Sequence, residues 1–390
     1  MSRIYLDWNA TAPIRAEAAA RVVEALSATG NPSSVHAEGR AARIAVEAAR
    51  RDVANLVNAS EGAVIFASGG TEAIATALTP DWRVAGERKH LVRALIGATE
   101  HAAVLAGGRF PAEACSMLPV NRAGLLDMAA LEACLAATPG PALVAVQAAN
   151  NETGVLQPIA EIAALVHAHD GILLCDAVQA AGKIPLDIRA MGADALIVSG
   201  HKIGAPQGAG ALILGAETTS PAEALIGGGG QEMGRRAGTE AVAVIAGFGV
   251  AAGLAAAELD EASARMAALR DKLEHDVLSR VSEATVFGRA VQRLPNTTLI
   301  GLDGASAATL LMALDLSGFA VSSGSACSSG KVKRSHVLDA MGVPRRLAES
   351  AIRASLGRST SEEEVVRFVE GFETAAKCLY KRGNAALAAA

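Results

Sequence analysis

The chain predicts an α/β protein, with a large domain whose mostly parallel sheet lies between helices and a smaller C-terminal α/β domain. Three observations lead there. Short runs of Val, Ile, Leu and Ala alternate with longer amphipathic or alanine-rich stretches, the pattern of β-α-β units. Of the 390 residues 51% are apolar but only 3% aromatic, so the cores are built from small aliphatic side chains layered helix against strand. Several strand-like runs also stop abruptly in small or polar residues, as strands do at the ligand-bearing carboxyl edge of an open parallel sheet. The length suits two domains, and the expected division is 13–255 against 1–12 with 256–390.

In chain order, residues 15–28 and 36–58 are alanine-rich and amphipathic and predict helices, parted by the turn Gly30-Asn31-Pro32-Ser33-Ser34. Val64-Ile65-Phe66-Ala67 predicts a short strand and 73–78 a helix. Further strands are predicted near 91–97, 143–148, 171–175, 195–199 and 210–214, with helices near 101–109, 127–137 and 159–169. A charged amphipathic stretch over 255–282 reads as the link between domains. Beyond it come strands at 297–302, 319–322 and 351–356, and helices at 306–315, 335–341 and 361–380.

The formal net charge is −5 with both signs mixed, which offers no electrostatic footprint for nucleic acid. No apolar run has the length of a membrane span and the N-terminus lacks a secretory apolar core. A cytoplasmic protein is expected, with neither nucleic acid nor membrane as partner. Cys115, Cys134, Cys175, Cys327 and Cys378 are odd in number and lack a CxxC pair, so neither a disulfide framework nor a zinc site is indicated. Four of them lie in apolar patterns and read as buried small hydrophobes. Cys327 does not.

Two consecutive strand ends carry the most chemistry. One run ends in Ser199-Gly200-His201-Lys202 and offers an amine; the run before it ends in Cys175-Asp176-Ala177-Val178-Gln179 and offers an acid and an amide. Alone, Lys202 reads as a surface lysine and Asp176 as a turn residue. Together they are what a protein needs to hold pyridoxal phosphate (PLP) as a Schiff base and keep its ring nitrogen protonated. Ser68-Gly69-Gly70-Thr71 joins a strand to a helix and makes a phosphate cradle by exposed amides and helix dipole, although most glycine-rich turns are only turns. It has neither the GKS/T ending of a Walker loop nor a GxGxxG pattern.

The remaining candidates are single residues and loops. His101, in Ala98-Thr99-Glu100-His101, sits where an imidazole can lie on a heteroaromatic ring, shuttle a proton or merely cap a helix. Asn150-Asn151 puts amide donors at another strand end, for a substrate carboxylate or the cofactor's phenolic oxygen. Gly227-Gly228-Gly229-Gly230-Gln231-Glu232 leads into Arg235-Arg236-Ala237-Gly238-Thr239-Glu240, too glycine-rich and charged for core. It reads as a mobile lid or a second anion site reaching a neighbouring subunit. Cys327 stands among small residues, so an exposed thiol on a mobile loop is expected, a nucleophile or redox group, with Lys331, Lys333 and Arg334 favouring the thiolate. Arg353 interrupts an apolar strand and needs an anionic partner, either a substrate carboxylate or an internal one.

Taken together, these segments resemble the cysteine desulfurases, the NifS/IscS-like branch of the class V aminotransferases (PLP fold type I). The likeness runs from Tyr5-Leu6-Asp7-Trp8-Asn9-Ala10-Thr11 to Ile352-Arg353-Ala354-Ser355-Leu356-Gly357. Ser199-Gly200-His201-Lys202 marks the class, and Ser322-Ser323-Gly324-Ser325-Ala326-Cys327 the desulfurases. The resemblance implies that Lys202 forms the internal aldimine and moves the Cα proton, Asp176 pairs with the pyridinium nitrogen, Gln179 bonds the phenolic oxygen, and His101 stacks on the ring. It places Gly70, Thr71, Ser199 and His201 on the phosphate, and Thr239 on that of the partner in a homodimer. Asn151 and Arg353 would fix the substrate carboxylate. Cys327 would take sulfur from L-cysteine as a persulfide, leaving alanine, and feed an acceptor or iron–sulfur scaffold protein; no metal is implied. The alternative is another class V enzyme, a selenocysteine lyase or aminotransferase. Ile74 and Ala75 stand where many members carry an asparagine.

Overall fold

The computed structural model describes residues 3–323 and 334–388. Its largest sheet has seven strands, in the spatial order Val64–Ala67, Gly210–Leu214, Ala195–Ser199, Ile172–Asp176, Ala142–Gln147, Arg93–Gly97 and Cys115–Leu118. Gly210–Leu214 is antiparallel to both neighbours, and the other pairings are parallel. Ala142–Gln147 and Ala195–Ser199 are buried at every residue, which is why they read as unbroken apolar runs and not as alternating ones. Cys115–Leu118 was not predicted: as an edge strand with only Leu118 fully buried, it lacks such a run.

The helices Ala16–Ser27 and Ala37–Leu56 pack on Val242–Ala257, another element missing from the sequence reading. That helix is apolar all round because Ile245, Phe248, Ala251 and Ala252 are buried in the large core, so no amphipathic stripe announces it. No single helix among the described residues is long and apolar enough to cross a membrane. The helix predicted at 101–109 shrinks to Ala102–Leu105, stopped by Gly107 and Gly108 at positive φ. A small sheet of Asp81–Val84, Glu87–His90 and Thr219–Pro221 was also unforeseen. Its charged strands hide the pattern, and its tight turn is made by Ala85 and Gly86, both at positive φ.

The stretch expected to link domains is the helix Leu259–Arg280, which leaves Val242–Ala257 at an angle of 71°. Its Leu269, Leu273 and Val277 join a second core with Ile300, Leu310, Ile352, Phe368 and Phe372, to which Ile4 and Leu6 also belong. The sheet there is antiparallel, in the order Ala284–Val286, Thr297–Leu302, Ile352–Ser355, Ser322–Ser323. The single strand predicted at 319–322 is two: Phe319–Ala320 pairs with Ile4–Tyr5 in parallel, and Ser322–Ser323 pairs with Ile352–Ser355. The cysteine expectation needs one correction. Cys175 is buried and Cys115 and Cys134 half-buried, but Cys378 is exposed on Glu362–Ala388.

Candidate active site

Parallel strands of the large sheet end at one edge, and the segments that follow them line a cavity of about 570 Å³. Ten predicted residues meet there: Gly70, Thr71, His101, Asn151, Asp176, Gln179, Ser199, His201, Lys202 and Arg353.

Ala195–Ser199 passes directly into one tight turn, Gly200–Lys202, which delivers the amine to the cavity. Glycine at 200 lets the turn pack closely, since a Cβ would lie a tight 3.0 Å from the Ala205 Cβ and 3.1 Å from the Phe248 ring. Lys202 Nζ donates to the carbonyls of Asn9 at 2.6 Å and Ala10 at 2.8 Å. Burial, then Arg353, brings its pKa down to about 8 against the pull of Asp7 and Asp176. His201 accompanies it, lowered to about 4 by burial and by Lys202, and so is a neutral imidazole at physiological pH, 3.2 Å from Thr11 Oγ1. Asp176 closes its strand and accepts from Val178 N–H at 2.9 Å. Burial raises its pKa, although that N–H, His101 and Lys202 oppose the rise.

His101 caps a helix and also faces the cavity. It lines the cavity, and its Nδ1 accepts from Ala103 N–H at 3.2 Å as the cap of Ala102–Leu105. The neutral ring therefore carries its proton on Nε2. Burial, Lys202 and His336 depress its pKa, with Asp176 pulling the other way. The Gly69-Gly70 turn opens the helix Gly70–Ala77. It can lie on the neighbouring strand only because residue 210 is glycine, where a Cβ would come within 2.5 Å of the Gly69 carbonyl carbon. Glu72 accepts from Ser68 N–H at 2.8 Å and pairs with Arg236 at 2.9 Å. Burial pushes its pKa up, but these bonds prevail and hold it below the ordinary value.

Arg353 satisfies the internal alternative and keeps something in reserve. Nη2 pairs with Asp7 at 2.7 Å and Nη1 donates to the Asn151 carbonyl at 2.9 Å, while buried Nε has no hydrogen-bond partner among the described residues. Gln179 Nε2 donates to the Asn9 carbonyl at 3.0 Å. Thr239 is exposed and does not line this chain's cavity. The stretch read as too charged for core is so only in part: Gly227 to Gly230 are exposed, but Glu232 is buried in a two-pronged bond with Arg50, both contacts at 2.8 Å, and Arg50 lies 4.9 Å over the Phe66 ring. Arg236–Glu72 ties the same loop to the helix that follows the Gly69-Gly70 turn. Cys327, Lys331 and Lys333 lie outside the described residues, and Arg334 is engaged by Asp339.

Three residues of the site escaped the sequence reading. Asn9 joins segments far apart in the chain, donating to the Asn151 carbonyl and to Thr297 Oγ1. Lys183 lies buried behind Gln179. Glu100 is buried beside His101 with Oε1 accepting from Gln147 N–H and Oε2 unpartnered among the described residues; burial and Asp176 push its pKa well up. The only signal for Glu100 was its place at a strand end, and Lys183 had only its spacing of four from Gln179.

Comparison with known proteins agrees with this geometry. The family model for aminotransferase class-V matches residues 4–368, and the chain belongs to that family. It is 42% identical over 376 residues to a cysteine desulfurase of Cereibacter sphaeroides, covering 95% of each chain. To the cysteine desulfurase NifS of Azotobacter vinelandii it is 39% identical over 378 residues, covering 95% of this chain and 91% of that one. The solved structure of a NifS-like protein from Rickettsia africae ESF-5 superposes with a TM-score of 0.86 at 34% identity, over 96% of this chain and 99% of the other. These relatives place the chain in the cysteine desulfurase branch. Members of the family depend on PLP, and the donor set here fits that group. It offers helix amides and hydroxyls for a dianion, a carboxylate for a ring nitrogen, and an amine with a pKa of about 8 for an aldehyde.

Proposed function

We propose that this chain is a PLP-dependent cysteine desulfurase that converts L-cysteine to L-alanine and carries the sulfur as a persulfide on Cys327. One observation bears most of the weight: Lys202, with its lowered pKa, faces the same cavity as Asp176 and the amides of Gly70 and Thr71. PLP bound there supplies an aldehyde for the lysine amine and an electron sink that loosens bonds at the substrate Cα. Gly70, Thr71, Ser199 and His201 would hold its phosphate, Gln179 its phenolic oxygen, and Asp176 its ring nitrogen, with His101 against the ring. Thr239 would complete the phosphate site of a second copy of the chain in a homodimer.

The chain's own residues divide the remaining work. Lys202 moves the Cα proton, since a group with a pKa of about 8 gives and takes protons near neutrality. Arg353 and Asn151, which both line the cavity, would orient the substrate carboxylate. The Cys327 thiolate attacks the substrate sulfur; the Cβ–S bond breaks, the S–S bond forms, and its electron pair leaves with what becomes alanine. A sulfur acceptor or iron–sulfur scaffold protein then removes the terminal sulfur. The two cores fit a division into 13–255 and 1–12 with 256–390. Free cysteines at 115, 134, 175 and 378 fit a reducing cytoplasm.

The experiment is incubation of purified protein with PLP, L-cysteine and a thiol reductant, with alanine and sulfide quantified. The two products should appear together, and Cys327→Ala should stop both while leaving the cofactor's absorbance intact. Undiminished sulfide release from that variant would point instead to a selenocysteine lyase or aminotransferase relative in which this thiol is dispensable.

A further inference from the structure

Behind Gln179 the chain buries a second lysine whose environment matches no ordinary packing role. Lys183 is 6% exposed, and its Nζ donates to Gln179 Oε1 at 2.9 Å and to Asn9 Oδ1 at 3.0 Å. Both partners are neutral amide oxygens, whereas a buried lysine ordinarily demands a carboxylate. The nearby charges that act on it, Lys202 and Arg353, are of its own sign. Burial and those two cations drive its pKa well down. Gln179 Oε1 and Asn9 Oδ1 are the two acceptors that hold the amine in place.

Those two bonds reach four predicted site residues. Lys183 donates, so Gln179 must turn its oxygen inward and its NH₂ outward, with one N–H on the Asn9 carbonyl at 3.0 Å. The same carbonyl receives Lys202 Nζ at 2.6 Å. Asn9 is likewise held with its oxygen toward Lys183 and its NH₂ toward the Asn151 carbonyl, at 3.2 Å. That carbonyl accepts from Arg353 Nη1 at 2.9 Å. Asn9 Oδ1 has a second donor in Asn296 at 3.1 Å, but Gln179 Oε1 depends on Lys183.

We propose that Lys183 is a positioning residue: it holds the Gln179 amide with its donor toward the cavity, and through Asn9 it sets the seats of Lys202 and Arg353. A methionine fills the same space and cannot donate. In Lys183→Met the Gln179 oxygen is left buried and unpaired, so the amide turns or swings away.

The inference rests on the reading that Lys202 carries PLP, and the test separates the two. Wild-type, Lys183→Met and Lys183→Gln holoenzymes are reduced with borohydride, titrated by the absorbance of the lysine-bound cofactor, and assayed for KM and kcat. Wild type should trap the cofactor on Lys202; failure there removes the reading and the inference with it. Losing a donor to the phenolic oxygen should raise the titration midpoint of Lys183→Met by about half a pH unit or more. KM for L-cysteine should rise roughly five- to tenfold, more than kcat falls. Lys183→Gln, which keeps an amide donor, should lie between, and it decides the matter alone if the methionine variant does not fold. Folded variants with the wild-type midpoint and KM would show that Lys183 is only filler.

Discussion

The two walls of the cavity hold their polar groups in opposite ways. On the wall made by the large sheet, His101 is open to the cavity, Lys202 and Asp176 are half-buried and Glu100 is buried behind them; all four have few partners, and each has its pKa displaced from the ordinary value. On the wall nearer the second core, Asn9, Asn296, Thr297 and Arg353 are bonded to one another or to backbone at nearly every polar atom. Uncompensated burial leaves groups ready to change protonation or partner, whereas saturation holds a geometry. One wall is built to react and the other to stay still.

The largest effect should come from the reactive wall. Lys202→Ala should abolish borohydride trapping and cut cysteine turnover by at least about a thousandfold; a variant still trapping the cofactor would erase the contrast between the walls. Arg353→Lys comes next, because a lysine cannot span both Asp7 and the Asn151 carbonyl. KM for L-cysteine should rise on the order of a hundredfold with the cofactor band unchanged, read by steady-state kinetics.

A third test concerns pH. Only the neutral amine of Lys202 attacks an aldehyde, so the rate of PLP capture by stripped enzyme should climb through a midpoint near 8 and not near the usual lysine value. The folded state disfavours the charged amine. Between about 8 and the ordinary value the unfolded chain therefore binds more protons, and the stripped protein gains stability as pH rises through that window. The smallest effect on rate belongs to the saturated wall. Thr297→Val takes one of the two acceptors of Asn9 Nδ2 and strands Asn296 Oδ1, and should cost about 1–3 kcal/mol in thermal or denaturant unfolding with little change in kcat.

The same contrast explains what could be read from sequence. Lys202, Asp176 and the Gly69-Gly70 turn follow apolar strands directly, and a strand end in a parallel sheet predicts its own position near a ligand. Ser199, His201 and Gln179 come with them. Asn9 gave no such sign, because its partners at 151, 183, 296 and 297 are brought by other elements. Glu232 misled for the same reason: amid glycines and arginines it looked solvated, yet Arg50 waits for it across 182 positions of chain. Val242–Ala257 was lost because a helix buried on all sides has no periodic stripe to detect.

The opening residues pair late in the chain's own order. Ile4–Tyr5 adds to Phe319–Ala320, Asp7 meets Arg353, and Asn9 N–H bonds Ser355 Oγ across 346 positions. During synthesis the large sheet can assemble from βα units as they emerge, but this leading segment has no seat until more than three hundred further residues have left the ribosome. The wall built by Asp7, Asn9 and Arg353 is thus among the last parts of the molecule to form.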